Sequence, residues 1–173
     1  MKQPAIIVTS GLPGSGKSTI AEGIGRLLRV PVLSIDPAEA AMWAAGLPKE
    51  NTGIAAYRVV EAIAAENLKL GLTIIVDAVN PVEEARQMWR DLADRFQVPV
   101  CFIECLCSDD QIHRTRIEKR VRNIPGMPEI TWERVQERKA EYEEWLDVRL
   151  RLDTASDAPD VLIARAMDYL QAI

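Results

Sequence analysis

Short apolar runs alternate along the chain with longer segments in which apolar residues recur every three or four positions. Five of the short runs have the length of strands, and the first four contain β-branched residues. They lie at residues 5–9, 31–36, 73–77, 98–107 and 149–153. Each is followed by a segment with helical spacing. This alternation predicts an α/β fold, in which helices cover both faces of a parallel sheet.

The segments between the runs carry the start and stop signals of helices. Helical spacing covers residues 17–29, and a longer amphipathic pattern covers residues 52–70. Asn80 is expected to cap a further helix, because a proline follows it and an acid lies in the first turn. We expect Arg58 and Arg86, which lie in two of these helical patterns, to form surface salt bridges.

Composition restricts the function further. The 173 residues suffice for one domain with a hydrophobic core, so we assign residues 1–173 to a single domain. A formal net charge of −5 gives no global attraction for nucleic acid. No apolar run has the length of a membrane span, and the N-terminus shows no signal peptide. The spacing of the cysteines does not suit a zinc site. Reduced thiols are typical of a cytoplasmic protein. Without a membrane span, we expect no membrane partner.

The most informative motif directly follows the first strand. Residues 11–18 match the pattern G-x-x-x-x-G-K-[ST] in full. They are Gly11, Leu12, Pro13, Gly14, Ser15, Gly16, Lys17 and Ser18. The glycines let backbone amides form a concave nest for phosphates, and the following helix adds its dipole. The alternative is a simple turn, but the flanking strand and helix favour a nucleoside triphosphate site, and we call residues 11–18 the P-loop.

The polar side chains near this loop have separate predicted roles. Lys17 is expected to reach the β- and γ-phosphates, and the Ser18 hydroxyl to ligate Mg²⁺. Thr19 completes the predicted nucleotide-binding set. Asp77 ends an apolar strand, where we expect its carboxylate to hold Mg²⁺ directly or through water.

A second acid follows the second predicted strand. Ligands in such sheets bind beyond the carboxyl ends of the strands, which places Asp36 on the acceptor side of the γ-phosphate. We therefore predict that Asp36 is the general base or aligns an acceptor hydroxyl. For both Asp36 and Asp77 the alternative is a helix N-cap, and Pro37 suits that role after Asp36.

A basic helix and a loop with proline and glycine come after the fourth strand. Arg116 and Arg120 are four positions apart, so on a helix they would share one face and could contact a purine and a phosphoryl group. The alternative is an exposed charged face paired with acids of the next predicted helix, residues 131–146. The loop at 123–128 favours a mobile lid, which we assign to residues 114–131.

In these motifs the chain resembles the small P-loop kinases. The resemblance is to the branch that contains polynucleotide kinases, chloramphenicol phosphotransferase, gluconate kinases and zeta-toxin-like enzymes. It rests on residues 11–18, Asp36, and the runs 76–81 and 116–120, and it covers nearly the whole chain. It implies a three-layer αβα P-loop NTPase fold with five parallel strands in the order 2-3-1-4-5, a small lid, and binding of ATP with Mg²⁺.

The resemblance also implies roles for individual residues. Lys17, Asp36 and Arg120 are the implied catalytic residues, with Asp36 activating the acceptor hydroxyl and Arg120 acting on the phosphates from the lid. Arg116 would pack near adenine. The backbone near Thr154 would line the adenine pocket.

Fewer residues of the sequence indicate which acceptor the protein binds. The run 77–80 and Arg86 are similar to the polynucleotide-kinase variant. Asp36, however, lacks the neighbouring arginine that this variant carries for the acceptor phosphate. Trp43 is a candidate lining residue. The sequence thus predicts an ATP- and Mg²⁺-dependent phosphotransferase acting on a hydroxyl of a small molecule; the alternatives are a nucleic-acid 5′-end kinase and a nucleotide-hydrolysing switch.

Overall fold

The computed structural model describes residues 3–172. Its middle layer is a five-stranded sheet in the order β2-β3-β1-β4-β5, and every neighbouring pair is parallel. The strands are β1 (Ile6–Ser10), β2 (Val32–Ser34), β3 (Ile74–Asp77), β4 (Val100–Leu106) and β5 (Arg149–Asp153). The predicted α/β fold and strand order are confirmed.

The described residues form seven α-helices. They are α1 (Lys17–Leu28), α2 (Ile35–Ala44), α3 (Thr52–Lys69), α4 (Glu83–Phe96), α5 (Asp110–Lys119), α6 (Trp132–Ala140) and α7 (Pro159–Gln171). Helices α3 and α4 pack on one face and α1 and α7 on the other. None of the helices within residues 3–172 is long and apolar enough to cross a membrane.

The central strands are apolar because both of their faces are buried. Ile6 and Val8 of β1 face the core beneath α3 and α4, and Ile7 between them faces the core beneath α1 and α7. Trp89 of α4 is the largest fully buried side chain. The unbroken apolar pattern of β1 follows from this two-sided burial.

The second strand is shorter than predicted, and the placement of Asp36 at its end was wrong. β2 ends at Ser34, and Asp36 lies in the first turn of α2. Pro37 explains the difference, because a proline in the first helical turn removes only an N–H that has no partner within the helix.

Two helix ends also differ from the prediction. Helix α5 ends at Lys119, so Arg120 has an extended backbone outside the helix face of Arg116. Helix α6 ends at Ala140 instead of residue 146. Tertiary hydrogen bonds explain this end, because the Glu143 N–H donates to the Pro81 carbonyl at 2.8 Å instead of to a helical carbonyl.

Candidate active site

The P-loop has the conformation that its glycines allow. Gly11, Gly14 and Gly16 have φ angles of 142°, 80° and 88°. A Cβ on Gly11 would lie 2.2 Å from the carbonyl oxygen of Cys105, and one on Gly16 would lie 3.0 Å from Thr154. The loop therefore requires glycine both for its backbone angles and for the close approach of its neighbours.

A buried histidine supports the loop from the side. Nε2 of His113 lies 2.7 Å from the carbonyl oxygen of Pro13, and the ring packs edge-on against Trp132 at 5.2 Å. Burial lowers the pKa of His113, so the neutral ring donates its Nε2 hydrogen to the loop. No local sequence pattern signals this contact, because 100 positions separate the two residues.

A cavity of about 400 Å³, here called the P-loop cavity, lies beside this loop. Arg116 donates to the hydroxyl and carbonyl oxygens of Thr154, both at 2.7 Å. The Thr154 hydroxyl in turn donates to the Ser15 carbonyl at 2.9 Å. Most predicted nucleotide-binding residues line the cavity, together with Arg120: Gly14, Gly16, Lys17, Ser18, Thr19, Arg116 and Thr154.

A second cavity of about 1010 Å³, here called the Asp36 cavity, adjoins the first. Asp36, Trp43 and Tyr57 line it, together with residues of α4 and α6. Lys17 lines both cavities and is only 5% exposed. The lysine thus lies at the boundary between the P-loop and the side chain of Asp36.

An arginine that the sequence did not single out binds Asp36. Arg122 donates to Asp36 Oδ2 at 2.8 Å and to the Pro128 carbonyl at 2.8 Å, and it lies 3.4 Å from Glu129. Its side chain is only 11% exposed. These bonds tie the segment after α5 to α2, and they fix one oxygen of the Asp36 carboxylate while its Oδ1 receives no bond from Arg122.

The carboxylate of Asp77 lies at the carboxyl edge of the sheet, in register with Thr9 of β1 and Ser34 of β2. Its Oδ2 accepts a hydrogen bond from the Ser34 hydroxyl at 3.2 Å. Its Oδ1 is buried and has no hydrogen-bond partner among the described residues. A buried carboxylate oxygen without a donor is costly unless a ligand satisfies it.

The donor chemistry of this oxygen and of the Ser18 hydroxyl, which lines the P-loop cavity, suits a magnesium ion. Both are hard oxygen donors of the kind that Mg²⁺ prefers. Residues 3–172 contain no group of three or more His, Cys, Asp and Glu side chains that could hold a metal alone. Mg²⁺ does not need such a group, because it usually binds one or two protein oxygens and completes its shell with phosphates and water.

The positively charged side chain of Arg120 lies near the carboxylates of Asp36 and Asp77. Its Nη1 is buried and lacks a hydrogen-bond partner in the described part of the chain. Burial lowers the pKa of Arg120, and the charge of Arg122 lowers it further. A desolvated guanidinium with a donor to spare is suited to an anionic ligand such as a phosphate.

Arg86 corrects the prediction of a surface salt bridge. It is fully buried and donates to the carbonyl oxygens of Asn80, Pro81, Glu143 and Glu144 at 2.8–3.1 Å. Its guanidinium also lies 4.0 Å from the ring centre of Trp145. Arg58 does form the expected exposed pair, with Glu61 at 2.9 Å.

Asn80 is likewise not the helix cap that the sequence predicted. Its φ of 49° is left-handed, and its buried amide donates to Ser10 and accepts from Trp89 Nε1. Its backbone N–H donates to the Tyr57 hydroxyl at 3.1 Å. Asparagine tolerates this backbone region, so it turns the chain between β3 and α4 while joining the two.

Comparison with known proteins identifies the family. Residues 6–145 match the sequence model of a family described as an AAA domain. The chain belongs to this AAA domain family. Its relatives are P-loop kinases, so the resemblance drawn from the motifs is confirmed, and membership of the family supports phosphoryl transfer in general terms.

Two curated relatives of this AAA domain protein are kinases by name. The bifunctional polynucleotide phosphatase/kinase of Schizosaccharomyces pombe is 28% identical over 130 residues, which are 73% of this chain. The chain spans only 28% of that relative's length. The adenylyl-sulfate kinase of Pseudomonas aeruginosa is 25% identical over 182 residues, covering 98% of this chain and 87% of the relative.

A solved structure has the same fold. The APS kinase of Mycobacterium tuberculosis, in complex with AMPPNP and APS, superposes with a TM-score of 0.74 at 19% identity, and 98% of each chain is covered. At this identity the likeness concerns the fold alone.

Proposed function

We propose that this AAA domain protein moves the γ-phosphate of ATP to a hydroxyl group of a small-molecule acceptor, with Mg²⁺. The observation that carries this proposal is the position of Lys17 on both cavities. A triphosphate bound by the P-loop would present its terminal phosphate at Lys17. The acceptor would then approach from the Asp36 cavity, on the opposite side of the phosphate.

The nucleotide would bind through the P-loop cavity. The loop amides and Lys17 would neutralise the phosphates, and the buried donor of Arg120 would bind a phosphate oxygen. Arg116 and Thr154 would lie against the adenine. We propose that the 114–131 segment acts as a lid that excludes water, which keeps hydrolysis slow.

Magnesium would be held by Ser18 and Asp77, whose buried Oδ1 has no hydrogen-bond partner among residues 3–172. When bound, it supplies positive charge to the phosphate oxygens. Ser34 donates to the other oxygen of Asp77 and so orients the carboxylate.

Asp36 would accept the hydrogen bond of the acceptor hydroxyl. Arg122 occupies Oδ2, which leaves Oδ1 to receive the hydroxyl proton as the oxygen attacks phosphorus. In this role Arg122 is a positioning residue, since it acts on the acceptor only through Asp36.

The Asp36→Asn variant tests this assignment. We expect acceptor-dependent release of ADP to fall about 10²- to 10⁴-fold, because an amide cannot take the proton, while calorimetric ATP affinity stays unchanged. Arg122→Gln is the matched control, because it breaks the same ion pair but keeps the carboxylate. Its loss of acceptor-dependent ADP release should be smaller than that of Asp36→Asn. Turnover of Asp36→Asn at the wild-type rate would refute the role of Asp36.

A nucleic-acid 5′-end kinase is the second candidate, favoured by the name of the Schizosaccharomyces pombe relative. The net charge of −5 argues against it. Oligonucleotide binding at increasing salt separates the two functions. A nucleic-acid kinase would bind tightly with an affinity that falls steeply with salt, and we expect weak binding instead.

A further inference from the structure

The Asp36 cavity carries more information about the acceptor, given the proposed function. It is large enough for a whole small molecule, since ligand pockets typically measure about 300–1,000 Å³. Trp43, Tyr57 and Met88 contribute apolar surface to its lining. Asp36 marks the part of the cavity where the reacting hydroxyl would lie.

Five cations line this cavity: Lys17, Arg58, Arg122, Arg134 and Arg138. Three of them are paired with acids of the chain: Arg58 with Glu61, Arg122 with Asp36, and Arg134 with Glu137, at 2.7–2.9 Å. Lys17 and Arg138 form no salt bridge with any acid between residues 3 and 172. Lys17 lacks an acid partner because, in the proposed function, it binds the phosphates of ATP. The missing partner of Arg138 needs a different explanation.

Other cations of α6 do form salt bridges, so the lack of one at Arg138 is not general on this helix. Lys139, the next residue, pairs with Asp110 at 3.1 Å, outside the cavity. The acids that line the cavity are engaged or solvated. Glu129 and Glu141 lie 3.4 and 3.8 Å from arginines. Glu39 accepts a hydrogen bond from the Thr52 hydroxyl at 3.0 Å. Glu84 is exposed in the first turn of α4, where the helix dipole stabilises it.

A hydroxyl donor accompanies Arg138. The Tyr57 hydroxyl accepts the Asn80 N–H, and it donates to none of the residues that the structure describes. Burial raises the pKa of Tyr57 to about 12, while the nearby charge of Arg138 acts in the opposite direction. The phenol therefore keeps its proton at neutral pH, and its O–H remains available to a ligand.

We propose that Arg138 and the Tyr57 hydroxyl bind an anionic group of the acceptor, a phosphate or a carboxylate, while the reacting hydroxyl lies at Asp36. A guanidinium matches the two oxygens of such a group. The acceptor is then a small hydroxyl compound with an anionic group and an apolar or flat body. A single unpaired cation suits a small anion better than a long polyanion.

Equilibrium binding to the full chain tests this proposal with AMPPNP present to fill the P-loop. The probes are three matched pairs: glycerol and glycerol 3-phosphate, glucose and gluconate, and adenosine and adenosine 3′-monophosphate. We expect the anionic member of at least one pair to bind about tenfold or more tightly than its neutral partner. Arg138→Gln should abolish this preference, and Arg138→Lys should retain part of it.

Lys139→Gln is the matched control, because it removes the same charge from the same helix outside the cavity, and it should keep the wild-type preference. Equal binding within all three pairs, or a preference that survives Arg138→Gln, overturns the proposal. Tighter, strongly salt-dependent binding of a single strand of about ten nucleotides overturns the small-molecule assignment. Failure of AMPPNP itself to bind would refute the kinase function instead. The two failures can be told apart, because AMPPNP binding is a separate measurement from the preference for the anionic probe.

Discussion

Replacing Lys17 with alanine will abolish measurable phosphoryl transfer. We expect kcat to fall by at least about 10²- to 10³-fold, because Lys17 is the cation that lines both cavities and its side chain is only 5% exposed. Acceptor-dependent ADP release with saturating ATP is the measurement. Lys69→Ala, which removes an exposed lysine paired with Glu66 on α3, is the control and should keep full activity.

The same variant separates a catalytic loss from a folding defect. The Lys17 side chain has no acid partner in residues 3–172, so its removal breaks no ion pair in the ligand-free protein and should leave the free energy of unfolding close to that of the wild type. A loss of activity with normal unfolding supports the role of Lys17. Activity close to wild type in Lys17→Ala would show that transfer does not occur at this loop.

Replacing Arg86 with methionine will destabilise the fold by about 3–5 kcal/mol. Methionine has a similar length, but it leaves one buried and three part-buried carbonyl hydrogen bonds without their donor and removes the cation from the Trp145 ring. These carbonyls belong to the turn before α4 and to the segment after α6. Arg86 therefore joins two segments that are distant in sequence.

Denaturant unfolding measures this effect, with Arg58→Met as the matched control. Arg58 is exposed and paired only with Glu61, so its loss should cost no more than about 0.5 kcal/mol. The Arg86 variant should also weaken acceptor binding, because Pro81, which Arg86 holds through its carbonyl, lines the Asp36 cavity. Equal stability of the two variants would contradict this account of Arg86.

The fold could be predicted because its signals are local. The conformation of the P-loop could be predicted because its glycines lie at positions with positive φ. The apolar runs could be assigned to strands because the central strands are buried on both faces. The sequence placed Asp36 at the end of a strand, but it lies in the first turn of α2, where Pro37 is tolerated.

The site was less predictable because its contacts join distant segments. Arg122 binds Asp36 across 86 positions, and Arg86 binds carbonyls 57 and 58 positions away. Backbone carbonyls leave no trace in residue types, so a buried arginine that binds them looks like any surface arginine in a helix. Arg138 differs from the neighbouring Lys139 in lining the Asp36 cavity and in having no acid partner among the described residues, and no sequence pattern reveals either property.

The most direct test follows the terminal phosphate itself. ATP labelled on its γ-phosphate is incubated with magnesium, the protein and a panel of neutral and anionic hydroxyl compounds. We expect the label to appear as a phosphate ester of an acceptor with the wild-type protein and not with Lys17→Ala. Label that is released only as inorganic phosphate with every compound, or that stays on ATP, would contradict this expectation.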